Sequence, residues 1–355
     1  MKIMLGLSGG VDSSVAALML IEQGFEVEAL FMKNWDEDDN DGHCSAEQDL
    51  SDAQKIADKL NIKLHTVNFS PAYWDDVFSH FLQEHKKGRT PNPDVLCNKK
   101  IKFKAFLEYA LDLGADKIAT GHYARIVQEN GNFQLKTGLD DNKDQSYFLH
   151  LLNQEQLSKS LFPLGEITKL KVRKIAAEND FITANKKDST GICFIGERPF
   201  AQFLQTYLPK KPGAIVDENG RFIKHHQGLA FYTIGQRKGL EIGGGFSTSG
   251  KPWFVADKRL ESNELVVVQG EHPLLYHQSI SALAVHWITK TPKFPLKCTA
   301  KIRYRQASQK CVVAFENGII KVDFEQAQRA ATPGQSVVFY ADDVCLGGAI
   351  IENRF

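Results

Sequence analysis

Ser8-Gly-Gly-Val-Asp-Ser-Ser14 brings two glycines, three hydroxyls and one carboxylate together in seven residues near the start of the chain. That mixture suits the phosphates of a nucleotide. Gly9 and Gly10 let backbone approach an anion closely, and Ser8, Ser13 and Ser14 add hydroxyl donors. The loop has neither Gly-Lys-Ser/Thr nor Gly-x-Gly-x-x-Gly, so it is not a kinase-type phosphate loop or a dinucleotide fingerprint. Asp12 takes the lysine's place, and a carboxylate beside phosphates makes chemical sense if Mg²⁺ bridges them. The structural alternative is a tight strand-to-helix turn with a serine cap.

Two cysteines lie where thiol chemistry is possible. Cys97 follows Thr90-Pro-Asn-Pro-Asp94, whose two prolines oppose helix, and it is placed close to the start of a helix expected over 101–113. A helix end there, with Lys99 and Lys100 nearby, would favour the nucleophilic thiolate, and Asp94 could serve as general acid or base. Lys99, Lys100, Lys102 and Lys104 suit a phosphate backbone. Cys193, in Lys187-Asp-Ser-Thr-Gly-Ile-Cys-Phe-Ile-Gly196, stands between Gly191 and Gly196 in a stretch suited to a mobile sulfur carrier. Ordinary burial of a small apolar side chain is the structural alternative for each.

A third group comprises Thr120-Gly-His-Tyr-Ala-Arg125 and Lys143-Asp-Gln-Ser-Tyr-Phe-Leu149. Gly121 ends a strand where backbone approaches a ligand, and His122 and Arg125 offer polar contacts at the same edge. Lys143 could reach phosphate, with Asp144 and Gln145 hydrogen-bonding ligand or RNA.

The elements that must position these groups alternate strand and helix. Strands are expected over 2–7, 25–31, 62–69 and 117–120, and helices over 13–23, 46–60, 71–86 and 101–113. That order predicts a parallel sheet with ligands at the carboxyl ends of its strands, where Met32 could touch adenine. From about Lys211, glycine and proline turns punctuate short β-rich runs, including 228–239 and 297–304. The division expected is 1–208 for an ATP-binding catalytic domain, 209–275 for a small β-rich linking domain and 276–355 for a C-terminal β-barrel of about five or six strands. Lys301, Arg303 and Arg305 alternate as on one strand face that would suit a nucleic-acid phosphate backbone, and the tail is expected to be separable from a nucleotide-binding core.

Composition bounds the rest. The chain has 355 residues, enough for two or three domains, and 43 basic against 43 acidic side chains give no global pull on a polyanion. No apolar run reaches spanning length and the first strand begins at once, so no signal peptide, no membrane partner and a cytoplasmic location are expected. Six cysteines without a Cys-x-x-Cys pair argue against a zinc site and a disulfide framework.

Taken together, the motifs resemble the bacterial-type tRNA-specific 2-thiouridylase family along the whole length. The match rests on Ser8–Ser14, Asn92-Pro-Asp-Val-Leu-Cys-Asn98, Thr120–Tyr123, Lys143–Tyr147, Phe162-Pro-Leu-Gly165, Asp188–Cys193, Tyr232-Thr-Ile-Gly-Gln-Arg-Lys-Gly239 and Arg303-Tyr-Arg305. The resemblance implies a pyrophosphatase-loop fold that binds ATP through Gly6, Leu7, Ser8, Gly9, Gly10, Val11, Asp12, Ser13, Met32 and Gly121. Asn92, Pro93 and Asp94 would meet the target base, and Cys97 and Cys193 would be nucleophile and persulfide carrier. His122, Lys143, Asp144, Gln145, Tyr304, Arg305 and Gln335 would touch tRNA.

The implied reaction adenylates the C2 oxygen of the wobble uridine in tRNAs for lysine, glutamate and glutamine, with Mg²⁺, and then replaces it with sulfur. The sulfur would come from a persulfide donor, a cysteine desulfurase or sulfur-relay protein. Another pyrophosphatase-loop enzyme, such as an amidotransferase-type synthetase or a 4-thiouridine synthase, would share the loop but lack the spaced cysteines and β-rich tail. A non-enzymatic nucleotide-binding module would need neither cysteine.

Overall fold

The computed structural model describes residues 1–35, 45–188, 200–243 and 250–355. Its first unit is a five-stranded parallel sheet of order β3-β2-β1-β4-β7. These strands are β1 (Lys2–Gly6), β2 (Glu26–Lys33), β3 (Leu64–Asn68), β4 (Lys117–Ala119) and β7 (Ser160–Leu161). Ile3, Met4 and Leu5 of the central strand are all fully buried, because helices cover both faces of the sheet. On one face α1 (Val11–Glu22) contributes Val15, Ala16 and Leu20, and α2 (Ser45–Leu60) contributes Ala53, Ile56 and Ala57.

The helix after the proline motif is longer than the sequence suggests. It runs continuously over 93–112, because Asn92 caps it, accepting the Asp94 N–H at 3.2 Å, and Pro93 fills the first helical position. Proline's missing N–H has no intrahelical partner to lose there, so the ring that opposes helix elsewhere helps start this one. Cys97 is therefore the fifth helical residue rather than a residue at the helix start.

The middle unit is a four-stranded sheet of order β10-β11-β8-β9. It contains β8 (Gly213–Val216), β9 (Phe222–His226), β10 (Trp253–Arg259) and β11 (Glu264–Gln269). The expected β-rich run 228–239 forms a short helical turn, Leu229–Phe231, followed by turns, with no strand.

The third unit is a closed six-stranded antiparallel barrel. Its order is β12-β15-β14-β13-β16-β17, and pairing of β12 with β17 closes it. The strands are β12 (Tyr276–Trp287), β13 (Leu296–Lys301), β14 (Gln309–Glu316), β15 (Ile319–Arg329), β16 (Ser336–Ala341) and β17 (Val344–Arg354). Where the sequence reading expects a separable tail, the structure joins the barrel to the first unit. A hairpin, β5 (Ala124–Glu129) and β6 (Asn132–Thr137), leaves the N-terminal unit and adds to β17 through Val344↔Lys136 and Cys345↔Leu135. Beneath this junction, Met4, Phe106 and Ile118 of the first unit share a buried cluster with Ile288, Val338, Tyr340 and Cys345 of the barrel.

Candidate active site

The loop between β1 and α1 opens at the carboxyl edge of the sheet. Gly10 is the extended N-cap of α1, and the hydroxyls of Ser13 and Ser14 donate to its carbonyl oxygen at 3.1 and 2.9 Å. Ser13 Oγ also accepts from the Ser8 N–H at 3.2 Å, so the two ends of the loop brace each other. Gly9 has a positive φ of 71°, and a Cβ there would collide with the Asp49 carbonyl, so both conformation and space demand glycine. Gly121 packs its Cα on the loop, where a Cβ would lie 3.1 Å from the Ser13 nitrogen. Met32 is inside β2, with its methyl against Gly6 at the strand end. The first-turn N–H groups of α1 and these close approaches make an anion-binding cradle.

Asp12 is the electrostatic centre of the loop. Lys169 Nζ donates to both its carboxylate oxygens at 2.7 Å, and the Tyr123 hydroxyl donates to Oδ1 at 2.6 Å. Burial, with Asp12 alongside, pushes the Tyr123 phenol well above its usual range, which keeps it a donor. Lys169 also meets Asp188 Oδ1 at 2.8 Å, and Asp188 receives Lys143 at 2.6 Å and Arg173 at 2.7 Å. Burial opposes ionisation of Asp188, but hydrogen bonds from Lys143 and Lys169 outweigh it and hold the carboxyl at about 2. Lys186 ties the same stretch to the loop, donating to Gly9 O at 2.9 Å, Asp49 at 2.8 Å and Asp52 at 2.6 Å.

Among the described residues no group of three or more His, Cys, Asp or Glu side chains gathers to hold a metal. Mg²⁺ held mainly by nucleotide phosphates needs only one or two carboxylates, and Asp12 could supply one.

The proline-motif helix carries Asn92 as its N-cap, Asp94 in its first turn and Cys97 about one turn after Asp94. Cys97 is buried among Tyr73, Phe78, Phe81 and Ile101, and its fifth position puts it beyond the reach expected for the helix N-terminus. The carboxylate in the first turn is Asp94 instead. Burial raises the Asp94 pKa, with Lys102 opposing, so its proton is held more tightly than on a free carboxyl. Asn92, Pro93 and Asp94 line a cavity of about 280 Å³ together with Phe81, His85 and Gln335. Cys193 lies outside the described residues. Asp188, five positions before it, is the last described residue on its N-terminal side.

Several residues expected to meet RNA have other work. His122 is buried between Phe103 and Phe162, shares a 2.7 Å hydrogen bond with Thr120 Oγ1, and is driven well below its usual pKa by burial, with Lys102 adding. Asp144 is also buried. It accepts from the Gly138 and Ser146 backbone and from Lys301 Nζ at 3.2 Å, which makes it a junction between the first unit and the barrel. Gln145 Oε1 accepts the Tyr123 N–H at 3.0 Å, and Lys143 is spent on Asp188. Tyr304 packs on Phe148 with centroids 4.4 Å apart, while Arg305 is exposed beside it. Gln335 is bonded to the Thr90 carbonyl.

The expected face of Lys301, Arg303 and Arg305 does not exist. β13 stops at Lys301, the chain turns, and Arg303 points inward to Ile234 O, Ala330 O and Thr332 Oγ1. Arg125 likewise joins units, donating to Thr137 O and Asp343. Two lysines of the surface drawn from Lys99 to Lys104 are engaged within the protein. Lys99 is half-buried, with its pKa lowered by burial and by Lys100, and Lys100 pairs with Asp76 at 3.4 Å.

Sequence reasoning missed Lys169, Lys186 and Tyr123 as partners of the loop. One local sign was available: Lys169 follows the cap residue Thr168, so a cation stands in a helix's first turn, where the dipole disfavours it.

Comparison with known proteins covers nearly the entire chain. Residues 1–197 match the family model described as tRNA methyl transferase HUP domain, 201–269 the tRNA methyl transferase PRC-barrel domain, and 277–351 the Aminomethyltransferase beta-barrel domain. The tRNA-specific 2-thiouridylase MnmA of Ruthia magnifica subsp. Calyptogena magnifica is 74% identical over 354 residues, covering 99% of this chain and 98% of the relative. The protein of the same name from Hydrogenovibrio crunogenus is 59% identical, covering 100% and 94%. A solved 4-thiouridine synthetase in complex with RNA and ATP shows a weak likeness, with 16% identity, a TM-score of 0.35, and 56% of this chain and 46% of that one covered. No described helix is long and apolar enough to cross a membrane.

Proposed function

The chain belongs to the tRNA-specific 2-thiouridylase family, and we propose that it uses ATP and tRNA to convert the wobble uridine of tRNAs for lysine, glutamate and glutamine to 2-thiouridine. It is a sulfurtransferase. The observation that carries the reading is the phosphate cradle of Gly6–Ser13, braced by Gly121 and neutralised at Asp12 by Lys169. We assign 1–208 to ATP binding and catalysis, 209–275 to linkage and 276–355 to holding tRNA.

Uracil O2 is a poor leaving group, so the first half-reaction attacks the α-phosphate of ATP with that oxygen, expelling pyrophosphate and leaving AMP on O2. The loop N–H groups and the Ser8 and Ser13 hydroxyls stabilise charge developing on the phosphates. Mg²⁺ held by the phosphates and Asp12 would supply further charge neutralisation. Sulfur then displaces AMP. In one route the persulfide on Cys193 attacks C2, and Cys97 thiolate attacks the Cys193 sulfur, leaving the outer sulfur on C2. In the other, Cys97 attacks the persulfide first and releases sulfide, which attacks C2. Both end in a Cys97–Cys193 disulfide that cellular thiols reduce. Asp94, whose proton is held by burial, handles the proton near the target base beside Asn92 and Pro93.

Full-length protein with tRNA, ATP, Mg²⁺ and a cysteine desulfurase tests this. Pyrophosphate release and mass spectrometry of nucleosides should show 2-thiouridine at the wobble position. Pyrophosphate without thiouridine, or 4-thiouridine instead, would favour another pyrophosphatase-loop activity.

A further inference from the structure

Lys169 violates two local preferences at once. It is a nearly buried lysine, 8% exposed, and it occupies the first position of the helix Lys169–Glu178. Buried lysines and cations at helix N-termini are both unfavourable, and such conflicts concentrate at functional sites. Its ammonium group lies between Asp12, in the first turn of α1, and Asp188.

Resting on the reading above, we propose that Lys169 is a phosphate-binding residue of the adenylation step, held ready by Asp188. In the free protein its ammonium neutralises Asp12. When ATP enters, it turns from Asp12 to the β- and γ-phosphates and remains in reach of Asp188. Each acid keeps a partner in the exchange. Asp188 keeps Lys143 and Arg173, and Asp12 keeps the Tyr123 hydroxyl. The Lys169 N–H is fixed by Asp140 Oδ2 at 2.9 Å, so only the side chain has to move. The released pyrophosphate carries the charge that Lys169 stabilises, so the residue acts on the leaving group rather than on the uridine.

The test compares a nucleotide that carries β- and γ-phosphates with one that lacks them. Binding of α,β-methylene-ATP and of AMP is measured by calorimetry on the full-length protein and on Lys169→Met, Lys169→Arg and the charge-balanced pair Lys169→Met with Asp12→Asn. Lys169→Met is expected to weaken the ATP analogue at least tenfold and AMP less than twofold, with Lys169→Arg recovering part of the loss. The paired variant restores local neutrality and is read against Asp12→Asn alone, because Asp12 itself belongs to the ATP site; it should bind the analogue at least tenfold more weakly than that single variant. Equal weakening of both nucleotides, or recovery of the analogue's affinity in the paired variant, would make Lys169 a structural counter-ion and overturn the proposal. These binding results are independent of whether the product is 2-thiouridine, so failure of the broader functional reading would be visible separately in the nucleoside assay.

Discussion

The side chain of Gln335 donates through Nε2 to the carbonyl oxygen of Thr90 at 2.8 Å, joining residues 245 apart in sequence. Thr90 answers with its own N–H, which donates to Pro333 O at 2.9 Å. The barrel thereby holds the strand of backbone that leads into Asn92, Asp94 and Cys97. Replacing the amide in Gln335→Ala is expected to lower stability by about 1 kcal/mol, the usual net worth of such a bond. KM for tRNA should rise while ATP affinity stays unchanged. Thermal melts and steady-state kinetics at saturating ATP check both halves.

Arg303 and Arg305 should behave differently despite their spacing. Arg303 serves three acceptors in the interior, so Arg303→Ala is expected to destabilise by roughly 2–3 kcal/mol through unsatisfied buried groups. Arg305 is exposed, and Arg305→Ala should leave the melting temperature alone and flatten the salt dependence of tRNA binding by about one unit of slope. Denaturant titration and filter binding across a salt series separate the two, and an unstable Arg305→Ala would contradict this division.

Cys97→Ser and Cys193→Ser should each abolish 2-thiouridine formation, since one sulfur carries and the other resolves. Pyrophosphate release in the presence of tRNA should persist in both. Near-normal thiolation by either variant with a desulfurase donor would remove that cysteine from the mechanism.

Asp188 gives the protein a pH dependence with a definite sign. Its folded pKa of about 2 lies below the ordinary value of 3.8, so its ion pairs stabilise fully above about pH 5 and fade as pH falls from there towards 2. In melts of wild type and Asp188→Asn, the gap in melting temperature should be widest near neutrality and shrink below pH 4. A gap that stayed constant to pH 2.5 would mean the carboxylate's charge contributes nothing.

Deleting 276–355 should not leave a well-packed ATP-binding domain. The cut strips β17 from β6 and removes Ile288, Val338, Tyr340 and Cys345 from a cluster that also contains Met4 and Phe106. The product is expected to bind a hydrophobic dye and show no cooperative melt. A cooperative transition with intact ATP binding would show that the first unit is self-sufficient.

Local chemistry determined much of this protein. Alternating strands and helices, with Ile3–Leu5 apolar on both faces, could only become a covered parallel sheet. Gly9, Asp12 and Ser13 marked the candidate phosphate site because their types carry their own geometry. Decisions about partners belonged to the tertiary structure. Whether Pro93 would stop a helix or start one depended on the cap that Asn92 makes, and that choice moved Cys97 away from the helix end. Arg303 and Asp144 look like RNA contacts in a linear reading, because charge and polarity do not reveal which side of a chain another domain will cover. The hairpin β5–β6 crosses to a barrel some 200 residues later, and Lys169 reaches Asp12 across 157 positions. Contacts of that separation follow from how whole elements pack, and no local period or motif encodes them.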